Sequence, residues 1–423
     1  ANSVIEKNAG QIRKTIFSKN DEGEKIRVIQ TTIDSEEGIV TASDIIDTRM
    51  RERLNWKDFA ILYRTNAQSR IFEEMLRKRN IPYKIYGGQS FYERKEIRDL
   101  IAYLRLIVNP DDEEALRRVI NYPKRGIGDT TVQKLMELAR ALEVSIWSVI
   151  SSPELSARHL APALRTKVSQ FTGLMLPLMA VAETATAYDI ASGMASASGI
   201  ITELKQGQVP EEIDRLENLQ ELLNGIKEFT ESAVTNGEPA DIATWLQSVA
   251  LLTDQDLEKP EDRDKVTLMT IHSAKGLEFK YVYIVGLEEN LFPSAMNIFN
   301  PRELEEERRL FYVALTRACR RVTLSYALNR YKWGSLERGS PSRFIGEIES
   351  EFLSYPQTGG KPFRQRAVFE PLPGTDSGEA ARPLTPPAKM TRLRDARDRQ
   401  PPSAVPGPSQ APDYELEEGD MVR

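Results

Sequence analysis

VTLMTIHSAKGLEF at residues 266–279 and EEERRLFYVALTRA at residues 305–318 are the two stretches that decide the fold. The first begins with β-branched residues, and the apolar run YVYIV follows it at 281–285, which predicts strand, loop and strand. An apolar run of this kind is typical of a strand buried on both faces of a parallel sheet. The second stretch predicts a helix, because acidic residues lie at its start, where the helix dipole favours them. We therefore expect an α/β domain with a parallel sheet, and ligands bound at the carboxyl ends of its strands.

Composition describes a soluble protein with room for at least two cores. The chain has 423 residues, of which 28% are charged and 40% apolar. No apolar run approaches the roughly 20 residues that span a bilayer, and the single cysteine, Cys319, excludes an internal disulfide and fits a reducing compartment. The net charge of −6 argues against a generally basic coat, so any contact with nucleic acid must come from local patches.

Pattern breaks divide the chain into a sheet domain and a helical insertion. Further strands are predicted at 26–30, 59–63, 81–86 and 321–326, and a helix that Thr41 or Ser43 could cap is predicted from about residue 42. Residues 111–258 show helical spacing without a convincing strand, and Pro110 breaks the pattern before them. We expect a parallel-sheet domain at 1–108 and 260–350, interrupted by an inserted all-α domain at 109–259.

Both ends of the chain carry their own expectations. The chain begins at Ala1, inside a helical pattern that runs from Ser3 to Ile16, so we expect that an N-terminal part is missing. Half of the 24 prolines lie in residues 355–423, a composition that cannot bury enough apolar surface to order itself. Residues 351–423 are therefore expected to form a disordered, Pro-rich tail that ends in the start of a truncated module.

Arg64 and Asn66 stand where the strand predicted at 59–63 ends and the next helix begins. Side-chain and backbone donors meet phosphates readily at such a place. The alternative is that Arg64 pairs with an acid and that Asn66 only caps the helix. The residues by themselves favour this structural alternative.

A glycine-bracketed turn precedes the helix predicted at 132–142, and it contains Lys124, Arg125, Gly126, Gly128 and Thr130. It would expose N–H groups at a helix N-terminus beside two cations, which suits a DNA phosphate, although paired glycines are also common in plain connections. Trp333 lies further on, in the sequence YKWG. Aromatic rings stack on unpaired bases at about 1–3 kcal/mol each, and the alternative is that Trp333 packs on the core.

The two stretches quoted first resemble motifs V and VI of the superfamily 1 DNA helicases of the UvrD/Rep/PcrA family. The similarity extends upstream through AILYRTNAQSR at 60–70, YGGQSFYERKEIRD at 86–99 and PKRGIGDTT at 123–131, and it covers residues 1 to about 350. It implies a RecA-like domain of the P-loop type, the second motor domain of an ATP-driven 3′→5′ DNA helicase in repair or replication. ATP with Mg²⁺ would be the cofactor.

The resemblance also assigns roles to residues. Arg317 is the expected catalytic residue, an arginine finger for the γ-phosphate, because a planar guanidinium suits this contact; on its own it would be taken as a solvent-facing arginine at a helix end. Glu278 would accept a hydrogen bond from the ribose hydroxyl, with Gly276 and Lys275 completing the cofactor site. The expected contacts with single-stranded DNA and with its junction to the duplex are Arg64, Asn66, His272, Trp333, Lys124, Arg125, Gly126, Gly128 and Thr130.

Some family patterns do not occur in this sequence. It contains neither GxxxxGK[ST] nor DExQD, so it holds half of an ATP site, and we expect the phosphates and Mg²⁺ to be held mainly by a part outside the chain, with no metal ligand in it. Many relatives have a DNA-touching histidine where this chain has Ser294. The alternative function is a non-hydrolysing, helicase-like DNA-binding subunit or adaptor of a recombination or transcription-coupled repair complex. RNA polymerase or repair proteins are candidate partners through the truncated module, and the expected location is the bacterial cytoplasm at the nucleoid, without membrane contact.

Overall fold

The sheet is assembled from strands that lie far apart in the sequence. The computed structural model describes residues 1–9, 17, 23–207, 209–254 and 264–356. Its strands are β1 (Ile26–Ile33), β2 (Phe59–Tyr63), β3 (Tyr83–Ile85), β4 (Val266–Thr270), β5 (Phe279–Ile284), β6 (Ala318–Lys332), β7 (Ser335–Arg338) and β8 (Leu353–Ser354). Their order is β3-β4-β2-β5-β6-β1-β8 with every neighbouring pair parallel, and β7 forms an antiparallel hairpin with the end of β6. The predicted parallel sheet is confirmed.

Helices cover the sheet and fill the long connection between β3 and β4. In chain order they are α1 (Asn2–Ile5), α2 (Asp34–Glu52), α3 (Ser69–Lys78), α4 (Lys95–Val108), α5 (Glu113–Val119), α6 (Asp129–Ala141), α7 (Ile146–Ser151), α8 (Pro153–His159), α9 (Pro162–Met179), α10 (Ala187–Ala197), α11 (Ile200–Gln206), α12 (Pro210–Asn236), α13 (Ile242–Asp254), α14 (Pro301–Leu315) and α15 (Arg343–Gly346). The described residues between β3 and β4 contain helices and no strand.

Alternate residues of the central strands face two different cores. In β2, Ala60 and Leu62 pack on the side of α14 and α15, whereas Phe59, Ile61 and Tyr63 pack on the side of α2 and α3. All five are buried, which is why the strand is apolar throughout rather than alternating. Burial of each large apolar side chain contributes about 1.5–3 kcal/mol.

The start of α2 differs from the prediction. The helix was expected from about residue 42, but it begins at Asp34, so neither Thr41 nor Ser43 caps it. Acidic residues fill its true first turn, where the dipole favours them. Gly38 lies inside the helix, and a Cβ at this position would be 2.6 Å from a side-chain carbon of α3. Close packing of α2 on α3 therefore requires this glycine and outweighs its poor helix propensity.

The helical connection has its own hydrophobic core, and α4 belongs to it. Leu100 and Tyr103 of α4 share this core with Trp147, Phe171 and Leu222 of the later helices. The predicted boundary at residue 109 falls after α4, although packing joins α4 to the helices that follow. The division into 1–108, 109–259, 260–350 and 351–423 stays a prediction.

Buried polar contacts attach α12 to the sheet. The Nε atom of Arg70 donates to Glu221 at 2.8 Å, and Asn224 donates to the carbonyl oxygen of Tyr331, in β6, at 2.8 Å. A long helix of the connection thus contacts both α3 and the last part of β6. These contacts fix α12 beside the segments that follow β2 and β6.

Some expectations lie outside the described residues. They are the greater part of the helix predicted at 3–16, the return to the sheet domain near 259–262, and the tail from residue 357 onward. α1 covers only Asn2–Ile5 of the predicted N-terminal helix. Among the described helices, none has the length and apolarity needed to cross a membrane.

Candidate nucleotide and nucleic-acid sites

The connection 271–278 runs from the carboxyl end of β4 to the amino end of β5, which lies two strands away across β2. Both strands are parallel, so these eight residues must return along the length of the sheet, a connection that usually needs a dozen residues or more. His272 therefore lies at the carboxyl edge and Glu278 at the amino edge. The expectation of one ligand loop at the carboxyl ends was wrong, because its residues are divided between opposite edges.

Glu278 and Arg317 meet at the amino edge of the sheet. Phe279 and Ala318 are paired residues of the adjacent parallel strands β5 and β6, so the residues just before them stand side by side. The N–H of Phe279 donates to the carbonyl oxygen of Arg317 at 2.9 Å, which fixes this juxtaposition. The Glu278 side chain is exposed. A carboxylate and a guanidinium, distant in sequence, thus share one surface.

Neutral acceptors hold the half-buried guanidinium of Arg317. Its Nη1 donates to the carbonyl oxygen of Leu277 at 3.0 Å, and its Nε donates to that of Val313 at 3.1 Å. Its Nη2 donates to the hydroxyl of Thr316 at 3.0 Å, and this hydroxyl donates to Val313 at 2.9 Å. Within the described part of the chain, no carboxylate forms an ion pair with Arg317. The side chain is oriented while its charge stays available to an anion.

Three neighbours complete the amino-edge group. Gly276 has φ +87° in open space, a left-handed conformation that glycine adopts without strain. Lys275 is exposed beside it. The Cys319 sulfur lies 3.7 Å from a carboxylate oxygen of Glu278, and partial burial, together with this carboxylate, raises the pKa of the thiol. The thiol therefore stays protonated at neutral pH and presents no competing anion to Arg317.

Arg64 forms a buried ion pair at the carboxyl edge. Its Nε donates to both oxygens of Glu307, at 3.1 and 3.0 Å, and its Nη2 donates to one of them at 2.6 Å. Glu307, in α14, is only 1% exposed and also accepts from Asn297 at 2.7 Å. The acid that the structural alternative requires is therefore present. A DNA contact by Arg64 stays a prediction, and it would have to share an engaged guanidinium.

His272 and Asn66 lie near this pair. Partial burial lowers the pKa of His272, and so does the neighbouring charge of Arg64, which favours a neutral imidazole at pH 7. Asn66 is not the cap that the alternative expected, because Thr65 caps the 3₁₀ turn Asn66–Gln68. The carbonyl oxygen of Asn66 accepts from Arg94 at 2.9 Å. The capping contacts of Thr65 and the hydrogen bond from Arg94 therefore both fix the backbone around Asn66.

Trp333 occupies the tip of the β6–β7 hairpin, next to the helical connection. The residue is 42% exposed, so the core-packing alternative is wrong. Its φ of +49° is unusual for a residue with a Cβ, and its carbonyl oxygen accepts from the hydroxyl of Tyr188 at 3.1 Å. The ammonium of Lys205 lies 5.5 Å from the indole centroid. An exposed ring beside a cation is suited to a base and its phosphate.

Internal contacts occupy part of the turn before α6. Arg125 donates to the carbonyl oxygens of Val119, Pro123 and Ser198 at 2.9–3.2 Å. A phosphate contact of its side chain stays a prediction, and it would have to share this engaged guanidinium. The side chain of Asn121 accepts from the N–H groups of Arg125 and Ile127, at 3.0 Å each. These two N–H groups therefore already have an acceptor within the turn.

The rest of the turn remains accessible. Lys124, Gly128 and Thr130 are exposed, and Gly128 precedes α6 without a side-chain cap. Gly126 has φ +71°, and its carbonyl oxygen accepts from Lys167 at 2.8 Å. A second cation of the helical connection thus stands at the turn. The start of α6, which carries no side-chain cap, and these cations retain the predicted suitability for a phosphate.

Sequence reasoning missed several of these residues. Glu307 lies in the quoted stretch 305–318 but received no functional role from the sequence, although it pairs across the fold with Arg64. Neither Lys167 nor Lys205 belongs to a quoted motif, and only the folded chain brings them to Gly126 and Trp333. Adjacency to Arg317 was the one signal that could have indicated Thr316.

A parallel sheet with helices packed on both of its faces is an α/β architecture, and it is consistent with a RecA-like domain. The chain belongs to the family of UvrD-like helicase C-terminal domains, whose family model matches residues 1–329.

Individual relatives agree with this family. The chain is 40% identical over 365 residues to the ATP-dependent DNA helicase PcrA of Leuconostoc citreum, which covers 85% of this chain and 48% of that protein. It is 35% identical over 380 residues to the protein of the same name from Staphylococcus aureus strain Mu50, covering 88% and 51%. Identity to that of Staphylococcus epidermidis is 37% over 355 residues, covering 84% and 48%. The chain spans about half the length of the curated relatives it matches.

Proposed function

We propose that this chain is the second motor domain, with a helical insertion, of an ATP-dependent 3′→5′ DNA helicase. In this proposal the amino edge of the sheet faces a nucleotide whose phosphates are held by a first motor domain. The carboxyl edge, the hairpin tip and the turn before α6 contact DNA. Relatives named as ATP-dependent DNA helicases, about twice as long as this chain, support the proposal.

The juxtaposition of Arg317 and Glu278 carries the proposal. A guanidinium held by neutral acceptors keeps its charge for an anion, and the exposed carboxylate beside it can accept a hydrogen bond from a ribose hydroxyl. Phosphoryl transfer depends mainly on positioning and on neutralising charge, and an arginine finger contributes about 10³–10⁵-fold in rate. Glu278 thus fits the ribose of ATP, and Arg317 fits its γ-phosphate. The bound Mg²⁺ would supply further charge neutralisation, held mainly by ligands outside this chain.

The expected DNA contacts divide by chemistry. Trp333 would stack on a base of the single strand, while His272 and Asn66, with the engaged Arg64, would meet its backbone at the carboxyl edge. Lys124, Gly126, Gly128 and Thr130 would contact the duplex at the junction, with Lys167 in addition. ATP binding would close the two motor domains and hydrolysis would reopen them, so that alternating grip moves the strand.

The cellular setting is also part of the proposal. We place the protein in the bacterial cytoplasm, at the nucleoid, in repair or replication. RNA polymerase or repair proteins would bind through a module that follows residue 351.

An arginine exchange at the amino edge tests the proposed function in the protein that contains this chain and a first motor domain. Arg317→Ala should lower the DNA-stimulated ATPase rate by about 10³-fold or more, while the affinity for single-stranded DNA stays within about twofold. The matched control is Arg320→Ala, because Arg320 lies three residues after Arg317, at the start of β6, is exposed, and pairs with Glu52 only at 3.9 Å. Equal loss of DNA affinity in Arg317→Ala would refute the assignment. A wild-type protein that binds DNA without hydrolysing ATP would instead favour the non-hydrolysing adaptor.

A further inference from the structure

Glu307 is a buried carboxylate that organises the carboxyl edge of the sheet. It accepts two donors from Arg64, which follows β2, and one from Asn297, in the loop between β5 and α14. It is 1% exposed, so these donors replace water almost completely. A buried carboxylate that loses its counterion destabilises a protein by about 3–5 kcal/mol. A displacement of Arg64 should therefore also displace Glu307.

The helix that carries Glu307 ends beside Arg317. Leu315, the last helical residue, follows Glu307 by eight residues, which corresponds to roughly 12 Å along the axis. Phe311 lies between them and stacks on Phe344 at 5.5 Å between ring centroids, so the middle of α14 is packed on α15. One helix thus connects the carboxyl edge, where Arg64 lies, with the amino edge, where Arg317 lies.

We propose that Glu307 is a positioning residue that transmits the binding of DNA at the carboxyl edge to Arg317 at the amino edge. If a DNA phosphate attracts the guanidinium of Arg64 and displaces it, Glu307 must follow, because otherwise its buried carboxylate would lose its counterion. Glu307 then moves α14, and the far end of this helix positions the carbonyl oxygen of Val313 and the hydroxyl of Thr316, which hold the guanidinium of Arg317. This inference rests on the proposed function and names how its two sites communicate.

The test measures the ratio of ATPase rates with and without single-stranded DNA in the full-length protein. Glu307→Gln keeps the shape of the side chain but removes the charge that retains Arg64, and a hydrogen bond to a charged group accounts for roughly a factor of ten or more. The ratio should fall about tenfold. A ratio within twofold of the wild-type value would overturn the proposal.

Glu347→Gln is the matched control. Glu347, just after α15, pairs at 2.7 Å with Arg308, the neighbour of Glu307 in α14. This exchange therefore also removes an ion pair that anchors α14, but it leaves the pair of Arg64 and Glu307 intact. The ratio should stay within twofold of wild type. If both variants lose stimulation equally, weakened anchoring of α14 explains the effect and the proposal fails.

A double-mutant cycle with Arg64→Gln separates communication from independent damage. Each single variant should lower the ratio by a similar factor, and the double variant should lower it no further, because both break one link. Multiplying factors would contradict the proposal. Wild-type protein without DNA-stimulated ATPase would refute the proposed function itself, whereas a stimulated wild type with a normal Glu307→Gln refutes only the role of Glu307.

Discussion

Arg330 balances three buried carboxylates, and its removal gives the sharpest test of how the fold is held together. Its guanidinium lies 3.3 Å from Asp34, 3.2 Å from Glu37 and 2.9 Å from Glu288, and all three acids are buried. Arg330→Met fills similar space but leaves three acids without their cation. Breaking a buried pair costs about 3–5 kcal/mol, so we expect the free energy of unfolding to fall by at least 3 kcal/mol at pH 7.5.

The loss should depend on pH in a defined direction. Burial raises the pKa of Glu37 even with Arg330 present, and removal of the cation must raise it further. A carboxyl whose folded-state pKa lies above its unfolded value binds a proton in the folded protein first, so its stability contribution is present at low pH and is lost as pH rises through the folded pKa. For each proton that only the folded protein binds, the free energy of unfolding rises by up to about 1.4 kcal/mol per unit of falling pH. As pH falls from 7.5 towards 5.5, the stability lost in the variant should therefore become smaller relative to wild type.

Urea unfolding of the chain at both pH values, followed by circular dichroism, measures this difference. Arg343→Met is the control, because Arg343 also makes a bidentate pair, with Glu289, but its side chain is 39% exposed. Exposed pairs contribute about 0–1 kcal/mol, so the control should change little at either pH. A loss in Arg330→Met below 1 kcal/mol, or one that grows as pH falls, would refute the reasoning.

Two further predictions concern groups that we propose to contact DNA. Trp333→Ala should weaken binding of a single-stranded oligonucleotide by about 5- to 100-fold in fluorescence anisotropy, while Trp333→Phe keeps a stacking face and most of the affinity; equal loss in both variants would argue against stacking. Gly126→Ala should lower the free energy of unfolding by about 1–3 kcal/mol, because φ is +71° and the new Cβ would lie 2.8 Å from the ammonium of Lys167. Gly128→Ala, at φ −75° in open space, is its control in thermal melting, and equal losses would contradict the conformational explanation.

The parallel sheet could be predicted because short local sequence patterns indicate its central strands. The run 281–285 is apolar without alternation, and the structure buries residues 281–284 of β5 on both faces. The start of α2 could not be predicted in the same way. Gly38 argues against a helix by propensity, and only its close approach to α3 explains why the helix runs through it.

The residues of the candidate sites could be predicted from the sequence, but their positions relative to one another could not. Arg317 and Glu278 came from motifs, and their juxtaposition depends on the pairing of Phe279 with Ala318, which no local pattern specifies. Arg125 fits a phosphate contact by type, yet its donors are used by carbonyl oxygens as distant as that of Ser198. Long-range pairing decides which cations remain free, and periodicity carries no information about it.

The topology of the sheet explains why one motif reaches both of its edges. In a parallel sheet every connection must return from the carboxyl edge to the amino edge. The connection 271–278 does so in eight residues and carries His272 at one end and Glu278 at the other. The helix α14 carries Glu307 and ends at Leu315, two residues before Arg317. A shift of either connection by one helical rise, about 1.5 Å, alters the geometry at both edges, and this is half the length of a hydrogen bond of roughly 3 Å. In the proposed function, such a displacement would make or break a contact of Arg317 with a phosphate, so bound DNA and bound nucleotide would influence each other without any larger rearrangement of the domain.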